Sequence, residues 1–377
     1  MRMTALIVVL ALVVSDVGAQ RTIIRAGRLV DVRTGQTTRD AMIVVNNGRI
    51  VSVGPVALAP DDSIIDLSRY TVLPGLIDAH VHLGIGGTVR DNALADLRAG
   101  FTTVVDLGAR TTRLLQIRDS INGGFIAGPR VLAAGIWIGR KDGVCEFNGI
   151  GITGGADGFR ARVRENVAAG ADVIKACVSG WPAAAFAKPD EYELPDSLIT
   201  AIVDEARRLN RKVIAHDISL AGVQAALRAG VHGLAHAAYV DAATAGQLRA
   251  HGMFMIPTLA SLVGDDTSPG SVALVEAVRR VHNAGVQLVF GTDGGVLPHG
   301  QNALEFVALG RAGVSALDML RAATVNAASA FGIADSVGVI AANKVADLIA
   351  VEGDPLTDVT ALQRVRFVMS RGRIVGR

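Results

Sequence analysis

The chain has 377 residues, half of them apolar but only 4% aromatic, with 43 glycines and a formal net charge of +2. That length suits one large domain with a small companion, and the apolar balance excludes a disordered chain. Lys and Arg are spread without runs, so no electrostatic footprint for nucleic acid or anionic lipid is present, and a small-molecule partner is expected.

Residues 1–19 read as a signal peptide. Arg2 precedes the apolar run Ala5 to Val14, polar Ser15 and Asp16 follow, and Val17-Gly18-Ala19 offers cleavage after Ala19. The run is too short to span a bilayer. The expectation is a mature protein that is secreted or periplasmic, with no membrane attachment after cleavage and with a homo-oligomer left open. The cysteines, Cys145 and Cys177, are too few for a disulfide scaffold, and spacing leaves their pairing open, with free thiols favoured.

From Thr22 to Leu73, Val/Ile-rich stretches alternate with turn signals such as Asn47-Gly48, the pattern of antiparallel strands. Leu348 to Val351 and Val365 to Met369 share that texture. Residues 20–73 and 340–377 are therefore predicted to join as a small β-sandwich beside residues 74–339.

Between them, strands alternate with helices. The strands read as Leu76–His82, Thr103–Leu107, Val131–Ile138, Val173–Val178, Val213–His216, Gly233–His236, Phe254–Thr258 and Leu288–Thr292. Their number is that of a closed (β/α)8 TIM barrel, an α/β fold. Pro195 to Asn210 illustrates the helices: Leu198, Ile202, Ala206 and Leu209 form an apolar stripe, and Asp204, Glu205, Arg207 and Arg208 face water. An open doubly wound sheet would place a glycine-rich fingerprint after the first strand, and none is there. Gly149, Gly151 and Gly154 match that spacing but follow polar loop sequence.

The chemistry-bearing residues stand at the C-terminal ends of the predicted strands, where barrel enzymes place catalytic groups. His80 and His82, one residue apart on an extended strand, project to the same side and can grip one cation. Lys175 lies in an apolar strand where an ammonium is costly to bury. Burial lowers its pKa, and the neutral amine can add CO2 to give a bridging carbamate. The bland alternative is a lysine paired with an acid. His216 and His236 end the fifth and sixth strands and are candidate ligands for a second ion. Asp293 ends the eighth, where a carboxylate can touch a metal and accept a proton.

These residues lie within Pro74-Gly75-Leu76-Ile77-Asp78-Ala79-His80-Val81-His82, Gly170-Ala171-Asp172-Val173-Ile174-Lys175 and Gly291-Thr292-Asp293. Ala99-Gly100-Phe101-Thr102-Thr103-Val104, Gly128-Pro129-Arg130-Val131, Ala323-Thr324-Val325-Asn326-Ala327-Ala328 and Lys344-Val345-Ala346-Asp347-Leu348 complete the set. In this order they resemble the amidohydrolase superfamily, and within it the imidazolonepropionase-like group of metal-dependent Xaa-Pro dipeptidases and ochratoxin-type amidases, from about Thr22 to Val375.

The resemblance implies two divalent metal ions, with zinc suited to such ligands. His80, His82 and Asp293 would hold the buried ion, His216 and His236 the outer one, and Lys175 as N6-carboxylysine would bridge them. A shared hydroxide would attack an amide carbonyl, with Asp293 passing its proton to the leaving nitrogen. The chain departs from the group at Ala235-His236-Ala237, where Glu-His-Gly is common, and in the loop Asp142 to Gly149, which lacks a histidine.

A mononuclear deaminase or cyclic-amide hydrolase is the nearest alternative. Deaminases carry a glutamate three residues after the fifth-strand histidine, where this chain has Ser219. An inactive binding protein on a barrel scaffold is the alternative of another class. Arg140, Trp181, Tyr192, Tyr239 and His299 are candidate substrate contacts, with Phe147 and Phe186 as apolar neighbours. His232, His251 and His282 read as structural. The expected substrates are dipeptides, Xaa-Pro among them, or N-acyl amino acids.

Overall fold

The computed structural model describes residues 21–263 and 267–376. The expected signal peptide lies outside them. Among the described residues, no helix is long and apolar enough to cross a membrane.

The N-terminal part contributes β1 (Thr22–Val30), β2 (Thr37–Asn46), β3 (Arg49–Val53) and β4 (Ser63–Pro74). After Gly75 come β5 (Leu76–Val81), β6 (Phe101–Asp106), β7 (Arg130–Ala133), β8 (Val173–Cys177), β9 (Lys212–Asp217), β10 (Gly233–His236), β11 (Phe254–Ile256) and β12 (Gln287–Leu288). The chain ends with β13 (Leu348–Val351), β14 (Val365–Ser370) and β15 (Arg373–Ile374).

Both chain ends do meet, and they share one hydrogen-bonded sheet of seven strands in the order β15-β14-β13-β4-β1-β2-β3. Two facing sheets are not among its ladders. β13 runs antiparallel to β4, with Ile349 opposite Leu73 and Leu348 opposite Pro74. Alternation gives the sheet its own core of Ile24, Ile43, Val45, Leu67, Val72, Leu348, Ala350 and Met369.

The eight central strands appear in the expected order, although the eighth, read as Leu288–Thr292, keeps only Gln287–Leu288 as strand. They form parallel sheets of three, β5-β6-β7, and five, β12-β11-β10-β9-β8, instead of one continuous ladder. Single parallel bridges link the sheet edges, Val81 to Gly294 on one side and Ile138 to Ala176 on the other. The expected third strand is shorter than read, because beyond Ala133 the chain keeps only isolated bridges such as Ala109 to Ile136.

Helices cover the outside. In Asp196–Arg208 the buried residues include Ile199, Ile202, Val203 and Ala206. Each buried branched side chain there contributes about 1.5–3 kcal/mol. Leu198 and Leu209 lie only at the edge of that stripe. Glu205, expected in water, is buried instead, because Arg164 reaches it from helix Gly155–Ala168 at 3.3 Å and Arg208 caps it at 2.6 Å.

Candidate active site

The C-terminal ends of β5, β8, β9 and β10 and the segment after β12 deliver the expected ligand candidates to one buried place. His80, His82, Lys175, His216, His236 and Asp293 are all buried. The ligating atoms of His80, His236 and Asp293 lie within 4.8 Å of one another, an arrangement able to hold a metal ion. Nε2 of His82 and Nε2 of His80 stand 3.2 Å and 3.4 Å from Oδ1 of Asp293. Lys175 Nζ lies 3.4 Å from His80 Nε2, and the His216 ring sits 4.7 Å from that of His236.

Two of these residues sit on costly backbone. His236 (φ 74°) and Asp293 (φ 57°) occupy the left-handed region, where non-glycine residues are uncommon and cluster at functional sites. Asp293 is reached from Gly291, where a Cβ would come within 2.4 Å of Ile256 and 3.0 Å of His80, so only glycine lets the two strands approach this closely.

The electrostatics suit a cation. Burial and then the Lys175 charge hold His80 well below the ordinary histidine range and bring His216 down to about 4. His236 is likewise low through burial and His216. All three are neutral imidazoles with a lone pair to offer. Burial alone would raise the Asp293 carboxyl, but His80 and His82 outweigh it and hold it well below the usual carboxylate range. Burial pushes Lys175 down to about 7 despite Asp293, so a large share of the amine is neutral near physiological pH.

Partners behind the rings set their orientation. His82 Nδ1 meets the Gly108 carbonyl at 3.0 Å and His236 Nδ1 meets the Thr258 hydroxyl at 2.7 Å, which turns both Nε2 atoms toward the centre. His216 Nε2 faces the Gly180 carbonyl at 3.4 Å. Asp78 accepts from the His80 and Thr292 amides (both 3.1 Å), the Thr292 hydroxyl (2.7 Å) and Asn302 (2.8 Å), tying β5 to the segment that carries Asp293. Glu305 accepts from the Leu259 and Ala260 amides at 2.9 Å and 2.6 Å, directly after Thr258.

The candidate substrate contacts separate. Trp181 is 49% exposed and meets the Phe147 ring edge-on at 5.6 Å. Arg140 is exposed, its Nε 3.9 Å from Glu193. The Tyr239 hydroxyl donates to the Phe186 carbonyl at 2.7 Å. Tyr192 donates to Asp196 at 2.7 Å, an acid also held by Arg228. His299 lies between Asp96, 2.9 Å from Nδ1, and the His82 carbonyl, 3.3 Å from Nε2, so it braces the site from behind. His232 accepts from the Val213 amide, and His251 and His282 contact Gln247 and Asp318.

Sequence reasoning missed Trp137, Gly108, Thr258 and Glu305. Trp137 packs 5.2 Å from the His82 ring, and Thr258 was read only as a strand end. Cys145 and Cys177, favoured as free thiols, form a disulfide, because the loop after β7 folds back over the end of β8.

Residues 71–375 match the model of the amidohydrolase family. The chain belongs to that family. This amidohydrolase is 28% identical to ochratoxinase of Aspergillus niger over 93% of its own length and 85% of that protein. Its fold matches a crystal structure of a Xaa-Pro dipeptidase with methionine bound in the active site, with TM-score 0.85 and 28% identity, covering 94% of this chain and 99% of that one. A prolidase complexed with N-methylphosphonate-L-proline matches with TM-score 0.79 and 29% identity, over 95% and 100% of the two chains. The amidohydrolase is thus a hydrolase of amide or peptide C–N bonds.

Proposed function

We propose that this amidohydrolase is an exported enzyme that uses two divalent metal ions, zinc by preference, to hydrolyse dipeptides, Xaa-Pro among them, or N-acyl amino acids. The observation that carries the reading is the convergence of His80, His82, His216, His236, Asp293 and a buried Lys175 at the mouth of eight parallel strands. We read those strands, residues 74–339, as a (β/α)8 barrel.

His80, His82 and Asp293 would hold one ion and His216 and His236 the other. Lys175 would bridge them after its neutral amine adds CO2, forming an N–C bond and releasing one proton. When bound, the ions polarise an amide carbonyl and make water more acidic. Asp293 would accept a proton from water as the water oxygen bonds to the carbonyl carbon, and would return that proton to the leaving nitrogen as the C–N bond breaks. The Gly108 carbonyl, which can only accept, keeps the proton of His82 on Nδ1, and the Thr258 hydroxyl holds the His236 ring in orientation.

Ser219 disfavours the deaminase reading. Its hydroxyl caps helix Leu220–Ala229 by accepting from the Gly222 amide at 3.1 Å, and it offers no carboxylate where a deaminase carries its glutamate. The substrate class draws support from the names of the similar proteins, a Xaa-Pro dipeptidase, a prolidase and an ochratoxinase.

The test is protein lacking residues 1–19, assayed for metal content and against dipeptides, N-acyl amino acids and their C-terminal carboxamides. About two ions per chain and faster cleavage of the free carboxylates are expected. A preference for lactones, phosphotriesters or cyclic ureas over every linear amide would overturn the substrate class.

A further inference from the structure

An aromatic row leads outward from the metal ligands. The His82 ring lies 5.2 Å from Trp137, Trp137 lies 4.7 Å from Phe147, and Phe147 lies 5.6 Å from Trp181. Exposure grows along it, from 4% at Trp137 through half-buried Phe147 to 49% at Trp181. The row starts at a ligand and ends at solvent, so it describes the track a substrate side group would occupy with its scissile amide at the metals. The inner end is seated by Gly108, where a Cβ would fall 2.2 Å from the Trp137 indole nitrogen.

Phe147 does not belong to a strand or helix. It sits in a loop whose ends are closed on each other, Ile152 donating to the Gly139 carbonyl at 3.0 Å and Lys141 to the Ile152 carbonyl at 3.1 Å. Such a loop is a compact excursion packed by its own side chains. Within it, Asp142, Cys145 and Asn148 all have left-handed backbone, at φ 59°, 67° and 56°. The loop is tied down by the bond from Cys145 to Cys177, two residues beyond Lys175 on the same strand, together with the Val144 amide donating to Glu193 at 2.7 Å and Arg162 donating to the Ile150 carbonyl at 3.1 Å. Trp137, Val144, Cys145 and Cys177 form one small apolar cluster with Phe147 against it.

We propose that Phe147 and Trp181 form a subsite for an aromatic or large apolar acyl-side group, backed by Trp137, and that the Cys145–Cys177 disulfide positions Phe147 in it. The inference rests on the amide-hydrolase reading of the same site and names the side group it selects. Aromatic rings prefer offset or edge-on partners at 4.5–7 Å, the spacing these rings already keep among themselves.

The chain's two tryptophans both lie in this row, so ligand binding can be followed by intrinsic fluorescence without turnover. The probes are a naphthoyl-amino acid and its acetyl counterpart. Saturable quenching by the naphthoyl compound alone is expected in the parent protein. Phe147→Ala and Trp181→Ala should each raise its KM about tenfold and shift the KM of the acetyl compound far less. Cys145→Ser should reproduce the Phe147→Ala shift at unchanged metal content. So should a phosphine reductant, which is oxidised to its oxide, with water supplying the oxygen and the two thiol protons.

Equal KM values for the two compounds with no quenching would overturn the subsite while hydrolysis stands. Quenching with no hydrolysis of any dipeptide or N-acyl amino acid would uphold it and sink the proposed substrate class. An unchanged naphthoyl KM in Cys145→Ser would remove the disulfide's role.

Discussion

The Thr258 hydroxyl lies 2.7 Å from Nδ1 of His236, and both residues have left-handed backbone, at φ 53° and 74°. The contact fixes which ring nitrogen is left for a metal, and Glu305 holds the backbone just beyond Thr258. Thr258→Ala is expected to weaken the metal held by His236 by about 10–100-fold, and Thr258→Ser to restore it. Titration of metal-free protein with zinc reads this directly, and equal affinity in the alanine variant would refute it.

Lys175 gives a pH dependence with a definite sign. Burial brings its pKa down to about 7, so protonated amine dominates below that value and cannot add CO2. Recovery of metal-stripped protein in zinc at a fixed dissolved CO2 concentration should therefore be roughly tenfold faster at pH 8 than at pH 6. Lys175→Ala should lose much of its metal, nearly all activity and the pH dependence. Full metal content with normal turnover in that variant would exclude the bridge.

Asp293→Asn keeps the side chain's shape and one oxygen but removes the proton acceptor. Turnover should fall by about 100-fold or more with metal largely retained. Steady-state rates beside metal analysis check it, and a parental rate would mean that the base is another residue.

His299 and Asp96 are a buried pair, with side chains 3% and 0% exposed. Burial alone would lower the histidine, but the Asp96 hydrogen bond and charge outweigh it and leave its pKa raised. A raised folded pKa contributes stability that is complete below the unfolded value near 6.5 and is lost as pH climbs through the folded one. Denaturant unfolding should show that decline. Asp96→Asn should flatten it and cost about 3 kcal/mol, because a buried charge loses its partner.

The six ligand candidates were legible because a histidine or aspartate closing an apolar run, or a lysine inside one as at Lys175, is unusual enough to be noticed. Trp137 was not, since a tryptophan inside an expected strand reads as packing until the His82 ring is seen against it. Thr258 and Gly108 act through one hydroxyl and one carbonyl, groups that every sequence contains in quantity. Glu205 was misread because the arginine that buries it comes from another helix. The Cys145–Cys177 bond depended on a loop's return path, which composition does not encode.

The ladder between Leu73 and Ile349 joins residues far apart in the chain. Without β13, β4 keeps one side bare, with Val72 and Leu73 lacking that neighbour. Pairing over so long a separation is slow, and an apolar strand edge left open attracts other chains. A polypeptide cut short before Leu348 would display that edge permanently, even with all six ligand candidates in place.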